Sequence, residues 1–132
     1  MNAGEPSLLV VDAANVVGSV PDGWWRDRVG ATERLRDSLA GLADRGIPDL
    51  ADSPLEVVLV VEGAARSVRP GPDVRVVVAA GSGDDTIVEL VAAKGADRSC
   101  VVVTADRLLR DRVRALGAEV VGPRTVYPAR PS

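Results

Sequence analysis

The hydrophobic positions of this chain fall into short, uninterrupted runs that are rich in valine. These runs begin at Leu8, Val57, Val74 and Cys100, and each holds four or more apolar residues within a few positions. Short continuous runs of branched residues are typical of strands that are buried on both faces of a parallel sheet. We therefore predict strands at 8–11, 57–61, 74–78 and 100–103, with a short fifth strand at 119–121.

Segments with helical spacing of their apolar residues lie between the runs. They predict helices over 24–43 with Asp22 as a candidate N-cap, over 84–94, and over 106–116. Proline-containing segments at 47–54 and 63–73 are predicted to be loops. Strands that alternate with helices indicate the α/β class, in a three-layer domain whose mainly parallel central sheet of about five strands is flanked by helices. We expect one domain over 1–132, with a flexible lead at 1–7 and a flexible tail at 123–132.

Acidic residues stand at or just beyond the ends of the predicted strands. Asp12, Glu62 and Asp106 follow the first, second and fourth runs, and Asp84 and Asp85 follow a Gly-Ser-Gly segment after the third. In open α/β sheets, ligands bind at the carboxyl ends of the strands. We therefore predict that Asp12, Asp85 and Asp106 converge at this edge, with Asp84 and Glu62 beside them.

The composition narrows the chemistry that such a site could perform. The chain has no histidine and a single cysteine, Cys100, which we expect to be a buried apolar residue. This excludes Ser-His-Asp and Cys-His catalysis as well as histidine or cysteine zinc sites. Converging carboxylates repel one another unless a divalent cation lies between them, and oxygen ligands suit Mg²⁺ or Mn²⁺. Such an ion can activate a water for phosphodiester hydrolysis.

Each acid also has a purely structural interpretation. Asp85 and Asp106 stand where a helix N-cap belongs, and an N-cap acid stabilises a helix without any catalytic role. The two roles are compatible. Glu62 precedes a glycine and could be a turn residue, whereas Asp12 is followed by Ala-Ala-Asn, which is not a capping pattern. The expected convergence favours a functional site.

Several other polar residues are candidates near the same edge. Asn15 either forms a turn or orients a catalytic water or phosphate, and Thr104 either bonds a neighbouring carboxylate or is a half-buried strand residue. Ser82 lies in a Gly-Ser-Gly loop that resembles a phosphate-binding loop but lacks the Gly-Lys-Ser/Thr ending. Arg66 and Arg69 could bind substrate phosphates, or they could be solvated loop arginines.

The remaining cationic and aromatic residues carry weaker signals. Arg107, Arg110 and Arg114 share one predicted helix face, which we expect to face solvent. Trp24 and Trp25 are expected to pack, although one of them could stack on a base. The net charge of −3 provides no overall attraction for nucleic acid.

The chain carries no sequence signal for a membrane. Its apolar runs are far shorter than the roughly 20 residues of a spanning helix. Residues 1–7 lack the basic and apolar regions of a signal peptide. We therefore expect a cytoplasmic protein with no membrane partner, and a homo-oligomer remains open.

Four short motifs together resemble a known family. The sequence LVVDAANVVG at 9–18 resembles the opening of YacP-like NYN domains, a branch of the PIN-like ribonuclease superfamily. VVVTAD at 101–106 is similar to the late Thr-Ser-Asp motif of that family, and GDDTIVE at 83–89 to its mid-chain Ala-Asp segment. LVVE at 59–62 stands where the family has a strand that ends in Asp. The resemblance covers roughly residues 8 to 122.

The resemblance implies a single PIN-like domain with a parallel sheet, metal-dependent cleavage of RNA, and Mg or Mn as the cofactor. It also implies that Asp12, Asp85 and Asp106 bind the metal and that RNA is the partner. Asn15 matches the family motif, so it is a further candidate catalytic residue.

The chain departs from the family pattern at three positions. Glu62 replaces the usual Asp, and Ala13 and Ala14 replace an aromatic residue and a glycine that precede the motif asparagine. Two alternatives to a ribonuclease follow, one from the altered site and one from the fact that cleavage of a free triphosphate needs the same metal chemistry. The first is a PIN-like module that binds RNA or a protein partner without cleavage, and the second is a metal-dependent nucleotide hydrolase.

Overall fold

The central sheet contains five strands, seen in a computed structural model that describes residues 6–19, 23–94 and 97–126. All four pairings between neighbouring strands are parallel. The predicted strands are thus confirmed, with the first two longer than expected. The strands are β1 Ser7–Asp12, β2 Leu55–Val61, β3 Val74–Val78, β4 Cys100–Val103 and β5 Glu119–Val121.

Helices and short 3-10 turns connect the strands. The turns span Trp24–Arg26, Gly63–Ser67 and Pro123–Thr125. Among the described residues, no helix is both long enough and apolar enough to cross a membrane. The helices are α1 Ala13–Gly18, α2 Arg28–Leu39, α3 Leu42–Arg45, α4 Gly83–Ala93 and α5 Arg107–Arg114.

The helices cover both faces of the sheet and so form the predicted three layers. Side chains of successive strand residues point to opposite faces. Leu9 and Val11 of β1 belong to a core that includes α1, α2 and α3, whereas Leu8 and Val10 belong to a second core with α4 and α5. Cys100 lies in this second core, as expected, and burial raises the pKa of its thiol to about 11.

The first half of the chain differs from the prediction in two helices. α1 was not predicted, and the expectation that Asp12 does not begin a helix is wrong, because Asp12 is the N-cap of α1 and its side chain accepts a hydrogen bond from the Asn15 N–H at 3.4 Å. The single helix predicted over 24–43 is instead a 3-10 turn followed by α2 and α3. Asp27 begins α2, since its side chain accepts a hydrogen bond from the Gly30 N–H at 2.9 Å. The alternative cap, Asp22, lies outside the described residues.

The chain ends also differ from the prediction where they are described. Ser7 was predicted to belong to a flexible lead, but it is the first residue of β1. Pro123–Thr125 was predicted to belong to a flexible tail, but it forms a turn, and the following Val126 is buried in the first core. Burial of Val126 explains this order. The rest of the predicted lead and tail, 1–5 and 127–132, lies outside the described residues.

The strand order places a topological switch beside β1. The order is β3-β2-β1-β4-β5, so the chain extends the sheet to one side of β1 and then returns to extend the other. The crevice outside the carboxyl ends of two strands at such a switch is the usual ligand site of open α/β sheets. Val11 pairs with Val103, and therefore the next residues of β1 and β4, Asp12 and Thr104, meet at this crevice.

Candidate active site at the carboxyl edge of the sheet

Asp12 is the last residue of β1 and the most buried acid of this edge, with 5% of its surface exposed. One carboxylate oxygen accepts a hydrogen bond from the Thr104 hydroxyl at 3.0 Å, and the other accepts from the Asn15 N–H at 3.4 Å. Burial disfavours the ionised form more than these hydrogen bonds favour it. As a result, the pKa of Asp12 rises from 3.8 to about 6.

Thr104 and Asn15 tie the two sides of the crevice together. The bond from the Thr104 hydroxyl to Asp12 confirms the predicted bond between Thr104 and a carboxylate. The same hydroxyl also accepts a hydrogen bond from the Asp106 N–H at 3.1 Å. The side-chain oxygen of Asn15 accepts from the Ala105 N–H at 2.8 Å. Thr104 is fully buried, so it acts by holding Asp12 and not by touching a ligand.

Asp106 and Asp84 lie at the start of two helices. Asp106 is linked to Asp12 through the Thr104 hydroxyl, and the charge of Asp84 raises the pKa of Asp12. Asp106 caps α5, as predicted, because its carboxylate accepts from the Leu109 N–H at 3.0 Å. Asp84 is half-buried in the first turn of α4. Burial raises the pKa of Asp84, and the negative charges of Asp106 and Glu62 raise it further.

Asp85 points elsewhere, although the sequence favoured it as a ligand. Its side chain is 70% exposed and pairs with Arg112 at 3.1 Å. The predicted N-cap role of Asp85 is also wrong, since Ser82 caps α4 by accepting a hydrogen bond from the Asp84 N–H at 3.1 Å. Between the two neighbouring aspartates, the one that faces the other acids is Asp84.

Glu62 connects the end of β2 to the start of α4. Its carboxylate accepts a hydrogen bond from the Gly83 N–H at 2.8 Å. A side chain at position 83 would place its Cβ 2.3 Å from this oxygen, so the Glu62 carboxylate would have to move away from its present position. The charge of Glu62 also raises the pKa of Asp12 and Asp84. This residue therefore has a structural role beyond that of a turn residue.

We call Asp12, Glu62, Asp84 and Asp106 the acidic cluster. Within 6–19, 23–94 and 97–126, no three acidic side chains lie close enough together to hold a metal ion as they stand. The bonds within the protein explain the spacing, because Asp12, Glu62 and Asp106 each accept hydrogen bonds from neighbouring groups. The acids therefore influence one another electrostatically, as the predicted convergence requires, but they do not form a set of metal ligands.

Arg66 and Arg69 follow β2 and are exposed in and after the 3-10 turn Gly63–Ser67. The Arg69 carbonyl accepts a hydrogen bond from Arg36 at 3.0 Å, which joins this segment to α2. Trp25 is 56% exposed and lies beside the Arg26 guanidinium, so the expectation that it packs is wrong. The side chain of Trp24 lies outside the described part of the structure.

The expectation that Arg107, Arg110 and Arg114 of α5 all face solvent is wrong for one of them. Arg107 and Arg114 are exposed, but Arg110 is half-buried. Its Nε is buried without a hydrogen-bond partner in the described structure. Leu108, on the same helix, is 75% exposed. The helix therefore presents a mixed basic and apolar surface.

A pocket with a volume of about 160 Å³, which we call the side pocket, lies beside the acidic cluster. This pocket could not be predicted from the sequence, because its residues are far apart in the chain and most are small. The 3-10 turn Gly63–Ser67 completes the wall. The other lining residues are Ala13, Ala14 and Val17 of α1, Arg28 and Thr32 of α2, and Glu62.

Comparison with known proteins identifies the fold. The structure is similar to a crystal structure of a point mutant of Rae1 (YacP) from Bacillus subtilis, with a TM-score of 0.68. The chain has a YacP-like NYN fold. The alignment covers 92% of this chain and 72% of the Rae1 chain, at 18% sequence identity. This confirms the fold that the four motifs implied. No family model and no curated protein sequence matches the chain.

Proposed function

We propose that this protein is a metal-dependent ribonuclease that hydrolyses RNA phosphodiester bonds with Mg²⁺ or Mn²⁺. The observation that supports this most strongly is the environment of Asp12 at the switch point of a YacP-like NYN fold. Burial and the charges of Asp84 and Glu62 all disfavour its ionised form. A divalent cation at this place would reverse that balance, because it stabilises nearby carboxylates in their charged form.

The donor groups of the acidic cluster suit such an ion by their chemistry, and the carboxylates would have to move closer together to bind it. The cluster supplies only carboxylate oxygens, which are the ligands that Mg²⁺ and Mn²⁺ prefer. Each carboxylate oxygen has more than one acceptor site, so the hydrogen bonds of Asp12 and Asp106 leave capacity for a metal. We propose Asp12, Asp84 and Asp106 as the ligands, in place of the set with Asp85. When bound, the ion would polarise a phosphoryl oxygen and lower the pKa of a coordinated water.

The other residues of the site would position these groups. Thr104 and Asn15 hold Asp12 and the chain after β4 in a fixed relation. Glu62 holds the start of α4, and with it Asp84. Arg66 and Arg69 would bind phosphates of the RNA on the side of β2, because both are exposed just after that strand.

The proposal is tested with purified protein, single-stranded RNA and Mn²⁺. We expect cleavage by the wild-type protein, no cleavage above background by Asp12→Asn, and no cleavage in excess chelator. Asp111→Asn is the matched control, because Asp111 is an exposed acid of α5 for which we propose no role. This variant should cleave RNA as the wild type does.

Full activity of Asp12→Asn, or activity in excess chelator, would contradict the proposal. RNA binding of equal strength by the wild type and Asp12→Asn, without cleavage by either, would support a non-cleaving module instead. Hydrolysis of free nucleoside triphosphates without cleavage of RNA would support a nucleotide hydrolase. The three readouts therefore separate the three functions.

A further inference from the structure

The side pocket has the size and lining of a site for one aromatic ring system. Its volume is about 160 Å³, and an engineered protein cavity of roughly 150 Å³ holds a benzene molecule. Ala13, Ala14 and Val17 supply small apolar walls from α1. Small-molecule sites commonly combine such walls with a few polar groups that fix orientation.

Three polar groups stand among these walls. Arg28 carries a guanidinium with five N–H donors, and the Glu62 carboxylate has acceptor sites beyond the one that the Gly83 N–H occupies. The Thr32 hydroxyl already donates to the Arg28 carbonyl at 2.7 Å, so toward a ligand it can only accept. A ligand for this pocket therefore needs an aromatic body with both hydrogen-bond donors and acceptors on its edge. Nucleobases have this chemistry.

The position of the side pocket connects it to the acidic cluster. Ala13 follows Asp12 directly, and Glu62 belongs to both the pocket lining and the cluster. A nucleotide with its phosphate at the cluster would therefore have a base within reach of the pocket. Because the chain has a net charge of −3, overall charge does not attract RNA, and base contacts would have to supply affinity.

We propose that the side pocket receives one unstacked nucleobase of single-stranded RNA, next to the phosphate that is cut at the acidic cluster. This inference rests on the proposed function for its substrate. Sequence-specific proteins commonly read RNA through unpaired bases that leave the stack and contact side-chain edges. The pocket would accordingly give the enzyme a base preference at one position beside the cleaved bond.

The test measures nucleoside binding without metal, so that the signal reports the side pocket and does not depend on a bound ion. Adenosine, guanosine, cytidine and uridine are titrated separately into ¹⁵N-labelled protein in excess chelator. We expect at least one of them to give saturable shifts at the amides of Gly63 and Ala65. Ala14→Leu, which fills the pocket from α1, should weaken that binding at least about tenfold.

Ala64→Leu is the matched control, because Ala64 is exposed in the adjacent turn and does not line the pocket. It should bind the same nucleoside with wild-type affinity. The assignment is overturned if no nucleoside shifts these amides, or if Ala14→Leu binds as the wild type does while giving a folded spectrum. Nucleoside binding in the pocket without RNA cleavage would overturn the ribonuclease proposal and support the pocket.

Discussion

Asp12 shows how a single buried carboxylate can reduce the stability of the folded protein. It is almost fully buried and has a pKa of about 6, so near neutral pH it is mostly ionised in an environment that favours its neutral form. Its bonds to Thr104 and Asn15 offset only part of this cost. Functional sites are where such perturbed acids are commonly found.

We predict that Asp12→Asn is more stable than the wild-type protein at neutral pH without metal. Asn keeps an acceptor for the Asn15 N–H and caps helices as well as Asp does. The difference between the ordinary value of 3.8 and the folded value of about 6 corresponds to roughly 3 kcal/mol at neutral pH. Urea unfolding in excess chelator at pH 7.5 measures the gain.

The sign of the pH dependence follows from the raised pKa. The favourable contribution of Asp12 is fully present below pH 3.8, and it is lost as the pH rises through about 6. The advantage of the Asn variant should therefore shrink between pH 7 and pH 4. Asp85→Asn is the control, since Asp85 is exposed, and its effect should stay within about 0.5 kcal/mol. A variant less stable than the wild type at pH 7.5 would contradict the prediction.

At the scale of elements, Asp106 has two roles. It caps α5, and it contributes one negative charge to the acidic cluster. The cap needs only a hydrogen-bond acceptor for the Leu109 N–H, whereas the cluster needs a negative charge. The two roles can therefore be separated by substitution.

We predict that Asp106→Ala lowers the free energy of unfolding by about 1 kcal/mol, because it removes the cap. Asp106→Asn keeps an acceptor and should lose much less. Both variants should lose RNA cleavage under the proposed function. Urea unfolding and the cleavage assay, run side by side, give the comparison. Equal destabilisation by Ala and Asn would show that charge, and not capping, holds the start of α5.

The elements differ in how well the sequence predicts them. The four apolar runs predicted β1 to β4 because short runs of branched residues are typical of strands in a parallel sheet. β1, β2 and β4 are buried along most of their length, whereas β3 and the short β5 lie at the edges of the sheet and are more exposed. α1 was missed because it is only six residues long and because Ala-Ala-Asn after Asp12 was not recognised as the start of a helix. The break at Asp27 was missed because the apolar spacing continues across it.

The sequence predicts which acids of the candidate site stand at the ends of strands. Parallel strands bring their carboxyl ends to one edge, which is why Asp12, Glu62 and Asp106 could be named from the sequence. The choice between Asp84 and Asp85 could not be made in this way. It depends on Ser82 as the cap of α4 and on the pairing of Asp85 with Arg112, a residue of another helix.

At the scale of the whole molecule, the switch in strand order determines where chemistry can occur. β1 lies at the centre of the sheet, and its end meets the end of β4 only because the chain returns to that side. Hydrogen bonds across this crevice link Asp12, Thr104 and Asp106 over a sequence separation of more than ninety residues. A cation bound there would connect elements from both halves of the chain.

We therefore predict that Mn²⁺ stabilises the folded protein as a whole. An ion that binds only the folded state at a hundredfold excess over its dissociation constant adds about 2.7 kcal/mol, which for a domain of this size raises the melting temperature on the order of 10 °C. Asp84→Asn should abolish most of this rise, because Asp84 faces the acidic cluster. Asp85→Asn, its immediate neighbour in sequence, should retain it, because its carboxylate pairs with Arg112 at the surface. Thermal unfolding of the three proteins with and without Mn²⁺ decides between the two aspartates, and loss of the rise only in Asp85→Asn would overturn the proposed ligand set.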